Sequence, residues 1–360
     1  MPSSADPSHA TDHDLPLGSR EDRAGLNRRT VDAWFERAIP GATLPLRYTL
    51  IAGGRSNLTY RVDDAAGNSF VLRRPPLGHL LPSAHDMGRE FRIISALRDT
   101  SVPVADALGF CDDPAVLDRP FYVMRFTEGL ILRTQEDAEQ LSLRTRAKIS
   151  QSLVGVLGDL HALDVESVGL GQLGKRDGYV ARQLKRWHSQ FSASKLREVP
   201  RVDSVFETLS ARIPTQQGVS VVHGDYRLDN TMVDASGDVV AVLDWEICTL
   251  GDPLADLGVL FVYSPEPGDP NPPLGSAPTM AAGFATKAEM LTTYERRSGL
   301  DVSDIDFYVA FAYWKLACIL DGVYTRYKTG AMANDGFDFE VYNEQVNNLA
   351  QLAAMELEIR

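Results

Sequence analysis

Asp225 and Asn230 lie five residues apart in VVHGDYRLDNTMVD, residues 221–234, and Asp244 closes the apolar run of VVAVLDWE, residues 239–246. Phosphoryl transfer calls for groups of these types. One carboxylate must accept or orient the proton of an attacking hydroxyl, while a side-chain carbonyl and a second carboxylate hold Mg²⁺ against the phosphates. Asp225 can serve as the base and Asn230 as one metal ligand from the same loop, with a hairpin returning the chain at Asp244 for the other. Hard oxygen ligands suit magnesium, and so few of them suit a metal shared with a nucleotide. Taken singly, each residue reads as well as a turn former or a helix cap. Together, at this spacing and flanked by apolar strands, they favour a site.

The surrounding pattern predicts an α+β chain of two lobes. Residues 1–24 are polar and rich in Pro, Ser and Asp, and read as a disordered tail. From 25 to 127 a short amphipathic helix (25–40) precedes three strand-like runs, LRYTLIAGG, NLTYRVDD and SFVLRRP, then a helix at 84–98 and two more strands, VADALGF and PFYVMRF. This is a small β-rich N-lobe. From 128 to 360 helical periodicity dominates, over 142–163, 177–192, 202–212, 285–298, 303–326 and 336–358. Short strands between 219 and 244 interrupt it and carry the catalytic loop and metal residues. A Pro/Gly-rich loop, 264–279, is placed near the acceptor.

H-G-D-x-x-x-x-N followed by an apolar strand ending in Asp resembles the aminoglycoside phosphotransferase and choline-kinase-like superfamily, relatives of the protein kinases. The strings VLRRPP, SAH, REF and DWE-x-x-TLGDPLADLG look closest to phosphotransferase-like domains fused to acyl-CoA dehydrogenases. The resemblance runs from about residue 25 onward. It implies a two-lobed protein-kinase-like fold, ATP and Mg²⁺ as cofactors, Asp225 as base, Asn230 and Asp244 on the metal, and His223 as a support of the loop. Arg227, two residues after the base, would neutralise the transferring phosphate; a surface arginine is the competing reading. Asp252 and Asp256 are expected to cap a helix and fix the loop. The chain has no room for a dehydrogenase domain beside this fold.

In the N-lobe, Gly53-Gly54-Arg55-Ser56-Asn57 joins two strands where a glycine-rich loop would lie over phosphates, with Gly54, Ser56 and Asn57 as nucleotide contacts. An ordinary hairpin turn explains the same residues. Protein kinases carry a lysine on the third strand; here arginine replaces it, and strand alternation favours Arg73 over Arg74, with Glu90 as its partner. Residues 121–126 are expected to connect the lobes, bringing Met124 and Phe126 to the adenine edge. The G-x-G-x-x-G run at 169–174 follows a helix, and Arg176 stands where a Walker loop needs Ser or Thr, so both matches are coincidental. Tyr179, Arg182, Gln183 and Trp187 are candidates for an acceptor cleft, with ordinary helix packing as the alternative.

With 36 Lys plus Arg against 49 Asp plus Glu, the formal charge is −13, which argues against nucleic-acid and membrane-surface partners. The three cysteines show no metal or disulfide spacing. No apolar run reaches the length of a membrane span, so a soluble cytoplasmic protein is expected. The function so predicted is transfer of phosphate from ATP to a hydroxyl of a small molecule, with a hydroxyacyl-CoA among the candidates. A non-catalytic nucleotide-binding module is the alternative. A protein kinase is disfavoured, because no A-P-E segment occurs. Oligomeric state is not legible.

Overall fold

Alternation of inward and outward residues builds the N-terminal elements in the computed structural model, which describes residues 25–52, 57–77, 86–269, 277–331 and 338–359. Helix α1 (Arg28–Ala38) precedes β1 (Arg47–Ala52), β2 (Leu58–Asp63) and β3 (Ser69–Arg74); α2 (Met87–Leu97), β4 (Ala107–Cys111) and β5 (Phe121–Arg125) follow. The five strands form one antiparallel sheet in the order β1-β2-β3-β5-β4. Tyr60, Val62, Phe70, Leu72, Phe121 and Val123 share a core with Val31, Trp34 and Phe35 of α1. Because side chains alternate along a strand, Arg73 falls on the other face from Phe70 and Leu72.

Residues 121–125, expected both as a strand and as part of the connector between lobes, form a strand laddered on both sides. Met124 stands opposite Val71 of β3 and Ala107 of β4, and the Phe126 N–H donates to the Ser69 carbonyl at 3.1 Å. Only the residues beyond Phe126 are left to serve as a connector. The described residues group into two compact units, one reaching Arg92 and including Asp106–Phe126, the other made of Ile93–Ala105 and everything from Thr127 onward. The division therefore falls inside α2.

The larger unit is mainly helical. A capping box of Thr134 and Asp137 starts α3 (Gln135–Glu139), and Ser142 Oγ caps α4 (Leu143–Ala162). Next come α5 (Tyr179–Ser194) and α6 (Pro200–Ala211). Two short antiparallel pairs follow: β6 (Ser220–Val222) with β9 (Thr249–Gly251), and β7 (Thr231–Val233) with β8 (Val239–Val242). The chain ends in α7 (Leu254–Val262), α8 (Lys287–Ser298), α9 (Ile305–Lys328) and α10 (Val341–Glu356). The 169–174 glycines lie in turns between α4 and α5, where Gly174 admits Thr249 against its backbone.

All nine residues of α7 are buried, so no polar face marks it in the sequence. It crosses α9 closely: a Cβ on Gly258 would stand 2.4 Å from the Tyr308 carbonyl oxygen. Gly258→Ala is therefore expected to destabilise the protein by about 1–3 kcal/mol, as overpacked cores do, despite the better helix propensity of Ala. Urea unfolding measures this; an unchanged midpoint would show that the crossing yields freely. No helix among the described residues is long and apolar enough to cross a membrane. Cys111, Cys248 and Cys318 are all buried.

Candidate active site

The end of β6 delivers His223, Gly224 and Asp225 into a turn held from below by one buried carboxylate. Asp256, on α7 and fully buried, accepts from the His223 N–H at 2.6 Å and the Gly224 N–H at 2.7 Å. Burial pushes its carboxyl up, but the hydrogen bonds from His161 and the Gly224 N–H outweigh that and hold it below the usual range. Gly224 sits at φ 88°, a left-handed conformation open to glycine, with Ile247 3.0 Å from where a Cβ would be. Asp252 accepts from the Leu254 N–H at the start of α7 and from the Tyr308 hydroxyl at 2.7 Å.

His223 ties this loop to the next one. Its Nδ1 accepts from the Asp225 N–H at 3.3 Å, which places the proton on Nε2, and Nε2 donates to the Leu243 carbonyl at 2.8 Å. Trp245 packs edge-on against the imidazole. The β7–β8 register sets Thr231 opposite Val242, and the Leu243 N–H donates to the Asn230 carbonyl at 2.8 Å. Asn230 and Asp244 therefore stand at the same end of one hairpin. Asp244 adopts φ 62°, ψ 62°, rare for a residue with a Cβ and a form of strain that gathers at functional sites.

Asn230 Nδ2 donates to both the backbone carbonyl and Oδ2 of Asp225, each at 2.8 Å. That orientation leaves the amide oxygen Oδ1 as the group it can offer elsewhere. One amide oxygen and one carboxylate at a hairpin end suit Mg²⁺ whose other ligands are phosphate and water. No cluster of three His, Cys, Asp or Glu occurs among the described residues that would form an all-protein metal cage.

Arg227 Nε lies 3.2 Å from Asp225 Oδ1, its Nη1 lies 2.8 Å from Asp229 Oδ2, and its guanidinium covers the Tyr263 ring at 4.5 Å. Burial opposes its charge, but Asp225 and Asp229 hold the guanidinium above its ordinary value. Burial also raises Asp229. Arg227 is thus paired with Asp225 and Asp229 rather than a lone surface arginine.

A cavity of about 290 Å³ opens beside Asp225 within this unit. Tyr179, Gln183 and Trp187 line it, as the α5 pattern allowed. Arg182 does not: its Nη2 donates to the Lys175 carbonyl at 2.9 Å, and Arg186 takes its place on the wall. Lys315 and Tyr263 also line the cavity, and neither was singled out as a site residue from the sequence. A lysine in the middle of the apolar run FYVAFAYWKLACIL was the available signal for the first.

In the sheet unit, Arg73 Nε stands 3.0 Å from Glu90 Oε2, the partner that the resemblance implied. Glu90 also accepts from the Asn57 amide at 3.1 Å and the Tyr122 hydroxyl at 3.0 Å. Asn57 is buried with its amide turned to Glu90, which corrects the expectation of a direct phosphate contact. Arg74 is excluded as the alternative to Arg73, because it is buried against Gly25, Pro75 and Asp118. Met124 and Phe126, expected at the adenine edge, lie in β5 and directly after it, and both are half-buried. Gly54 and Ser56 lie outside the described residues.

A five-stranded antiparallel sheet with an arginine paired to a buried glutamate, and a helical unit carrying the loop and hairpin above, define a kinase-like phosphotransferase. A sequence model of the phosphotransferase enzyme family, APH, matches residues 47–299, and the chain belongs to this family. Among curated proteins it is 35% identical over 293 residues to mouse acyl-CoA dehydrogenase family member 10, covering 80% of this chain and 27% of that protein. It is 34% identical over 317 residues to human acyl-CoA dehydrogenase family member 11, covering 85% and 40%. The chain thus spans less than half the length of these relatives. A solved Ralstonia eutropha structure, assigned to the aminoglycoside phosphotransferases, superposes with TM-score 0.80 at 29% identity, covering 92% of this chain and 98% of the other. The ADP and hygromycin B complex of aminoglycoside phosphotransferase APH(4)-Ia shares the fold, with TM-score 0.60 at 15% identity over 90% and 98% of the two chains.

Proposed function

We propose that the chain transfers the terminal phosphate of ATP to a hydroxyl of a small molecule bound in the cavity beside Asp225. The observation that carries this reading is the joint placement of Asp225 and Asn230. One amide fixes the orientation of the carboxylate and, at the same hairpin end as Asp244, keeps its own oxygen for a metal. Asp225 would accept the hydroxyl proton, and Mg²⁺ held by Asn230 and Asp244 would offset charge on the phosphates. Arg73, oriented by Glu90, would present a fork of donors to phosphate where a lysine presents a point charge. Catalysis of this kind is mostly positioning and electrostatics.

The cavity wall bears on the acceptor. Asp225 is its one carboxylate among the described residues, against two cations, Arg186 and Lys315. A site for a polycationic aminoglycoside needs the opposite balance. The wall suits an acceptor with an apolar body and negative charge, which keeps hydroxyacyl-CoAs among the candidates. The test is acceptor-dependent ADP release with Mg·ATP over hydroxyacyl-CoAs, aminoglycosides and amino alcohols. Turnover is expected with an anionic acceptor and not with the amino alcohols. Mg·ATP binding without turnover on any acceptor would favour a non-catalytic binding module, and absence of ATP binding would end both readings.

A further inference from the structure

Lys315 has more donors than the surrounding protein has acceptors for it. It lies on α9, 8% exposed, and its Nζ makes one hydrogen bond, to the Gly224 carbonyl at 3.2 Å. An ammonium carries three N–H groups, and the described residues supply no second acceptor. A buried donor without a partner is costly, so a lysine kept here needs another acceptor when the site is at work. The amine forms part of the cavity wall with Asp225, so a ligand entering the cavity can reach it. Burial outweighs the charges of Asp256 and Asp225 and leaves the amine below its ordinary value, with Arg186 pushing the same way as burial.

Arg186 is a second, independent feature of the same wall. It is exposed, packs against the Trp187 ring at 5.1 Å and makes no ion pair among the described residues. The rest of the lining is mainly apolar, with aliphatic Ile247, Val259, Val262 and Leu316 beside the rings of Trp187 and Tyr263. Two cations set into an apolar wall next to a single carboxylate make a poor place for an ammonium group and a good one for an anionic oxygen.

We propose that Lys315, assisted by Arg186, is the subsite for a negatively charged oxygen group on an aliphatic acceptor. The same amine grips the Gly224 carbonyl, so filling the subsite also sets the acceptor against the loop that carries Asp225. Lys315 is on this account a specificity and positioning residue. The inference deepens the phosphotransferase reading and rests on it for the word acceptor, but binding at the subsite can be measured without turnover.

Three probes of equal length separate the cases: a terminal-hydroxy hexanoate, the matching hexanediol and the matching aminohexanol. Calorimetric binding to the intact chain with Mg·ADP is expected to rank the carboxylate at least tenfold above the diol, with the ammonium compound weakest. Lys315→Met, which keeps the length and removes the donors, should erase that preference. Exposed Arg186→Gln should reduce it in part and guards against a variant that fails to fold. In turnover assays the Lys315 variant should raise the acceptor KM by a larger factor than it lowers kcat. Equal or stronger binding of aminohexanol, or a preference that survives in Lys315→Met, overturns the subsite. Carboxylate preference without turnover on any acceptor would overturn the phosphotransferase reading and leave the subsite standing. Turnover without preference would do the reverse.

Discussion

Asp225→Asn is expected to lower kcat by about 10²–10⁴-fold, the range a positioned general base contributes, while nucleotide affinity stays close to that of the parent. Asparagine keeps the shape of the side chain and one oxygen for the Asn230 amide, and Arg227 retains its contact with Asp229 at 2.8 Å. What disappears is the ability to take a proton from the attacking hydroxyl. The loss should therefore appear in kcat with an acceptor present, and ADP binding should report an intact nucleotide site. Activity within tenfold of the parent would mean that another group takes the proton or that none needs to. Asp225→Ala would also free Arg227 and Asn230 from their partner, so its effect mixes chemistry with local order.

Asp256→Ala should produce the largest loss of stability. Hydrogen bonds to a charged acceptor contribute about 1.5–3 kcal/mol each, and the substitution removes the partner of two backbone N–H groups in the interior. A loss of about 3 kcal/mol or more follows for the fold around the loop. Its pH dependence has a definite sign. The Asp256 carboxyl titrates lower in the folded chain than its ordinary value, so its contribution is complete above the unfolded pKa of about 3.9. It is lost as pH falls through the depressed folded value. Unfolding free energies of parent and variant should thus differ by a constant amount from neutral pH down to about pH 5, and converge only in stronger acid. A gap that closed by pH 6 would falsify this assignment.

The sequence shows where a motif is, and shows less well what it is packed against. His223 through Asn230 and the hairpin to Asp244 were legible from spacing along a short segment, and Arg73 from strand alternation; its partner Glu90 came from the resemblance to the kinase lysine–glutamate pair. Helix starts at Ser142 and Thr286 were near their expected places because their caps are local. Helix α7 was absent from the periodicity reading because every one of its residues is inside, which erases the amphipathic period; only the capping expectation for Asp252 pointed to it. Strand β9, three residues long, has no signal apart from its partner β6. The choice of Arg186 over Arg182 depends on which side of α5 faces the cavity, which the distribution of polar residues did not fix. Asn57 looked like part of a phosphate loop and is occupied by Glu90, a partner 33 residues away.

The three buried thiols give this molecule internal clocks. Cys111 belongs to the sheet unit, whereas Cys248 and Cys318 belong to the helical one, and Cys248 follows Asp244 by four residues at 1% exposure. A thiol reagent can reach each sulfur when its own surroundings open, so alkylation rates at the three positions time the openings separately. If Mg·ADP slows labelling at Cys248 without slowing it at Cys318, the nucleotide quiets the Asp244 turn itself. Equal slowing at both would mean that it steadies the whole helical unit.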